Sequence, residues 1–391
     1  MTKILKICVF EPYPFGTMDG NMKTLDYILR FSDKERIQYQ ILTTKENAFK
    51  KRIDSMGIKC DVLNPEGSLA SHGGQILSTS SIGMVKTIIA IIKYNVLVYK
   101  YFKRNKIDLL YCNSVRSILT VGLAAKLSGI KIVLYVKGEL ANPLLDFASF
   151  ILANKIIFFS KSNSEDKYWF LQKIYKLKIE IIEIGLDLTE INSILIQDKG
   201  LLNKEYQFPK DIIKICFCGR LSRAKGLDIL IGAMREIKKY DAKLYVLGEA
   251  IIDDDKQYKD YILNLINEYD LRDQVIFLGW RVDHHEIICL MDIIVNPSFS
   301  EGFGRNILES MALKKATIAT KTGGLRDTIL NGENGFLVPI KNEEAIAEKL
   351  KFLIQNSEVR EHIAENARKT VVENYRIEDK INKLNELFYR L

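Results

Sequence analysis

The chain has 391 residues, 47% of them hydrophobic and 27% charged, with a formal net charge of +8. Its length exceeds the ~250–300 residues that one core usually serves, so two domains are expected, and the composition excludes a disordered or fibrous chain. No uncharged apolar run approaches the ~18 residues of a membrane span, and residues 1–10 read as a first strand rather than a signal peptide.

In chain order, apolar runs predict strands over 4–10, 37–43, 58–63, 109–112, 131–136, 156–159 and 179–184. Helical periodicity fills most of the gaps. Strands separated by helices imply a parallel, doubly wound sheet. The pattern restarts with strands over 212–218, 243–247, 275–278, 292–295 and 317–320. A boundary between 185 and 211 gives domains of 1–190 and 200–376, with 377–391 as a closing helix. The expected fold class is α/β, with two Rossmann-like domains.

The six cysteines form no Cys-x-x-Cys pair, and Cys8, Cys112, Cys216 and Cys218 sit in or beside apolar strand patterns. They read as buried free thiols in a reducing, cytoplasmic setting. His72, His284, His285 and His362 show no ligand spacing, so no metal site is expected. Asp253, Asp254 and Asp255 read as a solvated loop.

The excess of Lys and Arg lies in the first half of the chain. A nucleic-acid motif with interleaved aromatics is missing there, so an anionic ligand or anionic membrane surface is the expected partner. A helix predicted over 82–106 carries Lys86, Lys93, Lys100 and Arg104 in one stripe, beside Ile88, Ile89, Ile92, Val96 and Tyr99. It predicts peripheral docking on a membrane; a basic residue about every seventh position excludes a spanning helix.

Three strings in the second half each follow a strand and carry glycine, and the first and third lead into a helix start. The first is Gly219-Arg220 followed by Lys225-Gly226, whose cations leave a strand end where an oxygen-rich diphosphate could be held. The second, Gly279-Trp280-Arg281-Val282-Asp283, follows a strand; Trp280 reads at least as well as a core residue. The third runs from Asn296 through Glu301, Gly302, Phe303, Gly304, Arg305 and Asn306 to Glu309 and Ala312. Its helix start offers amides and a partial positive charge to an anion, and its two carboxylates can accept from sugar hydroxyls. A later Gly323-Gly324 pair suits close approach of backbone to phosphate. In the first half, Gly16 and Gly20 follow the first strand, while Asn113, Lys137 and Glu139 follow two central strands.

The Glu301…Glu309 string, with Arg220 and Lys225, resembles the Glu-x7-Glu motif of retaining, nucleotide-sugar-dependent glycosyltransferases of family 4, the glycosyl transferases group 1. The resemblance is strongest after residue 212. It implies a GT-B fold, in which the two domains face a central cleft. It also implies that Arg220 and Lys225 hold the donor diphosphate, that Glu309 accepts from the ribose, and that Glu301, Gly302, Phe303 and Gly304 address the sugar. Arg305 and Asn306 then offer amides near the phosphates, and Arg281 and Val282 lie in the loop that reads the base. Glu301, Lys225 and Arg220 are the expected catalytic residues. Gly16, Gly20, Asn113, Lys137 and Glu139 fall on the acceptor side, where many relatives carry histidines instead of Asn113 and Lys137. The expected activity is metal-independent sugar transfer without a cofactor, from a nucleotide-sugar donor to a glycan or lipid-linked glycan, in bacterial surface polysaccharide or lipopolysaccharide assembly. Two alternatives are a nucleotide-sugar epimerase of the same fold and a non-catalytic scaffold of a polysaccharide complex.

Overall fold

The structure is a computed structural model that describes residues 3–12, 20–65, 81–136, 142–165 and 173–391. The chain divides into two compact units, one of Met1–Glu183 with Lys380–Leu391 and one of Ile184–Asp379. The break falls a few residues before the 190–200 region read from the sequence.

The first unit holds β1 (Leu5–Glu11), β2 (Ile37–Thr43), β3 (Lys59–Val62), β4 (Leu109–Cys112), β5 (Lys131–Val136), β6 (Lys155–Phe158) and β7 (Ile179–Ile181). Their order across the sheet is β3-β2-β1-β4-β5-β6-β7, and the pairings are parallel. The second unit holds β8 (Ile213–Cys218), β9 (Ala242–Leu247), β10 (Val275–Gly279), β11 (Ile293–Asn296), β12 (Ala316–Thr320) and β13 (Phe336–Val338). Their order is β10-β9-β8-β11-β12-β13, again parallel. A strand covered by helices on both faces must be apolar on both, which is why Ile293, Ile294 and Val295 of β11 are all buried. The sequence reading missed β13, whose three residues carry too little pattern to count.

Each sheet reverses direction at one place, between β1 and β4 and between β8 and β11. Loops leaving adjacent strands part there to opposite faces, and the crevice at the strand ends is where such sheets bind ligands.

Helix Ser81–Asn105 matches the segment predicted over 82–106. Tyr94, Asn95, Val98 and Phe102 are buried, while Ile88, Ile89, Ile92 and Val96 are exposed beside Lys93 and Lys100. It packs on helix Val115–Leu127, which packs on Pro143–Leu152. Those two helices expose Leu123, Leu127, Leu144, Phe147 and Ile151.

Residues 253–255 correct the sequence reading of a solvated loop. Asp253 opens helix Asp253–Glu268, placing three carboxylates at its positive end. Asp255 is buried, and its Oδ2 accepts from the amides of Ile251 and Ile252 at 3.2 and 3.4 Å.

Candidate active site

In the second unit, the β8 and β11 loops meet at the sheet's reversal point. Gly226 makes their approach possible: its φ is +66°, and a Cβ there would lie 2.3 Å from the Pro297 carbonyl oxygen. Phe299 N donates to Ala224 O at 2.8 Å, tying the loops together. Lys225 is thereby brought to Glu301, and its Nζ donates to Glu301 Oε2 at 2.7 Å. Ser298 Oγ donates to the same oxygen at 3.0 Å and Asn296 Nδ2 approaches it at 3.4 Å.

Asn296 is itself oriented by its neighbours. Its Oδ1 accepts from Ser298 N at 3.1 Å, and its Nδ2 donates to Asn306 Oδ1 at 3.2 Å. Asn306 Nδ2 then donates to Cys218 O, the last residue of β8, at 2.6 Å. The Asn306 side chain thus stitches the two loops across the reversal point, a role beyond the helix-start amide that the sequence suggested. Behind Glu301, Gly323 takes a φ of +44°, and a Cβ there would fall 1.8 Å from the Glu301 carbonyl oxygen. The Gly323-Gly324 pair therefore sets the path of the Glu301 loop.

Helix Arg305–Ala312 starts from Gly304, whose left-handed φ of +82° turns the loop into the helix. Phe303 is buried against the Tyr375 ring. Ile307, Leu308, Met311 and Ala312 face the core, which leaves the first turn at the crevice.

Arg220 and Arg281 each face a different carboxylate. Arg220 is half exposed, with its Nε 3.6 Å from Asp255 Oδ2. Arg281 grips Asp283 with two hydrogen bonds at 2.8 and 2.5 Å, and Tyr206 donates to Asp283 at 2.6 Å. The hydrogen bonds from Arg281, opposed by desolvation and helped by Tyr206, hold the Asp283 carboxyl far below its usual range. Trp280 and Val282 are 68% and 77% exposed, so the reading of Trp280 as a core residue is corrected.

Glu309 is buried, and two histidines stand beside it. His285 Nε2 is 3.4 Å and His284 Nε2 is 3.8 Å from Glu309 Oε2. Spacing along the sequence gives no sign of this grouping. The two histidines are neighbours in sequence at the start of helix His284–Leu290, and only the packing of that helix on Arg305–Ala312 brings in the carboxylate.

On the first unit, the reversal point between β1 and β4 carries Glu11 and Asn113, whose buried side chains share a hydrogen bond of 3.0 Å. Gly20 begins helix Gly20–Phe31. Gly16, Lys137 and Glu139 lie outside the described residues.

Two doubly wound parallel sheets, each with its reversal-point crevice, define the GT-B class of fold. Residues 198–370 match the sequence profile of the family described as Glycosyl transferases group 1. The chain is 32% identical over 178 residues to the capsular polysaccharide biosynthesis glycosyltransferase CapM of Staphylococcus aureus, covering 45% of this chain and 46% of that one. It spans about half the length of several such curated relatives. A longer, weaker match is to the Escherichia coli UDP-Gal:alpha-D-GlcNAc-diphosphoundecaprenol alpha-1,3-galactosyltransferase, 24% identical over 318 residues, or 77% of this chain and 80% of that one. The crystal structure of Anabaena HepE in complex with UDP shares the fold, with a TM-score of 0.82 at 20% identity over 99% of this chain and 100% of that one.

Proposed function

We propose that the protein is a retaining glycosyltransferase that moves a sugar from a nucleotide diphosphate donor to a hydroxyl of a glycan or lipid-linked glycan, in assembly of a bacterial surface polysaccharide or lipopolysaccharide. The observation that carries this reading is the Lys225–Glu301 pair at the β8/β11 reversal point, beside the first turn of helix Arg305–Ala312. An ammonium has three donors, so its bond to Glu301 leaves donors for phosphate oxygens. As the sugar departs, charge grows on the diphosphate, and Lys225, Arg220 and the amides of Arg305 and Asn306 stabilise it without a metal ion. Glu301, Gly302, Phe303 and Gly304 address the sugar, Glu309 accepts from the ribose hydroxyls, and the loop of Arg281 and Val282 lies at the base. None of these side chains is assigned as a covalent nucleophile; attack from the face of departure, with a diphosphate oxygen taking the acceptor proton, gives retention.

CapM and the E. coli galactosyltransferase support the polysaccharide setting through the processes and acceptor that their names state. The acceptor side is assigned to the first unit, with Asn113 and Glu11 at its crevice and Gly16, Gly20, Lys137 and Glu139 in the neighbouring loops. No helix among the described residues is long and apolar enough to cross a membrane. The protein is placed in the cytoplasm, peripherally on the inner face of the membrane, through the exposed isoleucines and lysines of helix Ser81–Asn105.

The test is a thermal-shift screen of nucleotide sugars, followed by product analysis with the donor that binds. A ligand at 100 times its dissociation constant stabilises by ~2.7 kcal/mol. A donor that shifts the melting temperature and yields an α-linked product from an α-linked donor is the expected result. An epimerised donor with no need of an acceptor would overturn it.

A further inference from the structure

The loop of residues 279–283 joins β10 to helix His284–Leu290 and is exposed at Trp280 and Val282. An exposed loop entered by a glycine with a φ of +71° has little of its own to hold one shape. Here the hold comes from outside the loop. Asp283 accepts the two Arg281 hydrogen bonds and also accepts from the Tyr206 hydroxyl at 2.6 Å. Tyr206 ends helix Lys199–Tyr206, 77 residues earlier in the chain. Its ring is itself fixed. It stacks on Phe208, with centroids 5.8 Å apart and planes 6° from parallel, and Phe208 meets Tyr245 of β9 edge-on at 4.9 Å. Asn203 fastens Phe208 from the helix, accepting from its amide at 3.0 Å and donating to its carbonyl at 2.8 Å. Burial and the Asp283 carboxylate raise the pKa of the Tyr206 hydroxyl, so it remains a donor.

An arginine and an aspartate two residues apart on a surface add little by themselves. The tyrosine changes that, because it ties the loop to a ring stack on the sheet. What the loop then presents is backbone. Among the described residues, the amides of Arg281 and Val282 meet no acceptor, and the Val282 carbonyl oxygen lies 3.3 Å from His284 Nδ1. Backbone groups read a base only when the loop keeps its shape, since ordering a free loop costs binding energy. We propose that Tyr206 and Asp283 are positioning residues that hold this loop in the shape that selects the donor's nucleobase. This role rests on the donor reading above, in which the loop lies at the base. Neither side chain is assigned a contact with the base. The phosphates are assigned to Lys225, Arg220 and the start of helix Arg305–Ala312, so the effect falls on base recognition alone.

The experiment is calorimetric titration of the full-length protein with UDP, GDP, ADP and inorganic pyrophosphate. The parent protein is expected to prefer one of the three nucleotides. Tyr206→Phe keeps the ring stack and removes only the hydroxyl. It is expected to weaken the preferred nucleotide by about tenfold, to narrow its margin over the other two, and to leave pyrophosphate binding unchanged. With the corresponding donor sugar, KM rises while kcat is retained. Asp283→Ala acts in the same direction, and the double variant adds little to it, because both changes remove one contact. Circular dichroism confirms that the variants are folded. Unchanged nucleotide preference in folded Tyr206→Phe overturns the proposal, as does an equal loss of nucleotide and pyrophosphate, which marks a general structural role. A parent protein that binds none of the four ligands strikes at the donor reading itself. One that binds pyrophosphate and all three nucleotides alike sinks base selection by this loop and leaves the diphosphate site standing.

Discussion

At the scale of single residues, the chemistry concentrates on one ion pair. Lys225 and Glu301 are 28% and 11% exposed, so their contact is only partly screened by water. Glu301 receives three donors, from Lys225, Ser298 and Asn296, which hold it in one orientation. Lys225→Ala removes a fixed cation from the proposed diphosphate site, and Glu301→Ala removes the carboxylate that positions both the lysine and the sugar. Each is expected to lower kcat by about 100–1000-fold, or ~2.7–4 kcal/mol, with the fold retained. Steady-state kinetics with the identified donor, alongside circular dichroism, checks this. Turnover near that of the parent protein in either variant rejects the assignment. The Gly-Arg…Lys-Gly and Glu-x7-Glu strings single out Lys225 and Glu301 separately, but not their pairing, and not Ser298 or Asn296. Their signal lay in the same string, because small polar residues directly after a buried strand often turn inward to fix a loop.

At the scale of elements, the closing helix and the basic helix each carry a prediction. Helix Ile377–Tyr389 follows the place where Gly185 passes so close to Ile377 that a Cβ would lie 2.6 Å from its Cα. Beyond it, Lys380 donates to Glu183 at 2.9 Å. Desolvation alone would raise the Glu183 pKa, yet the Lys380 hydrogen bond and charge bring it below the usual carboxylate value. The stabilisation is therefore present above the unfolded glutamate pKa of ~4.3 and is lost as pH falls through the lower folded value. Lys380→Ala is expected to cost roughly 1.5–3 kcal/mol at neutral pH. Denaturant unfolding of both proteins should show this gap close in acid; a gap independent of pH would mean that the pair is not its source.

Helix Ser81–Asn105 exposes Ile88, Ile89, Ile92 and Val96 next to Lys93 and Lys100. An apolar stripe flanked by cations suits an anionic bilayer surface, with ~1 kcal/mol of attraction for each basic residue near it, lost at high salt. Lys93→Glu with Lys100→Glu is expected to abolish co-sedimentation with vesicles containing anionic lipid and to leave neutral vesicles unaffected. Equal recovery of parent and variant in the anionic pellet would remove this helix from the docking surface.

At the scale of the whole molecule, the proposal of fixed cations predicts that transfer persists in excess EDTA. Arg220 and Lys225 are supplied by the chain itself, and outside residues 253–255 no Asp-x-Asp sequence offers the usual cradle for a divalent ion. The expected outcome is unchanged product formation. Complete loss restored by Mg2+ or Mn2+ would reverse the mechanism.

The sequence by itself determined the strands within a residue or two for most of the chain, the doubly wound pattern and the Lys225–Glu301 loops. Those features depend on local periodicity and glycine spacing, which one chain displays in order. Tertiary structure decided that Asp255 is a buried cap, that Asn306 bridges β8 and β11, and that Trp280 is exposed. It also decided that Glu190, His284, His285 and Glu309 converge. These contacts join segments from separate helices and strands, and their distances follow from how the elements pack, which no spacing along the chain encodes.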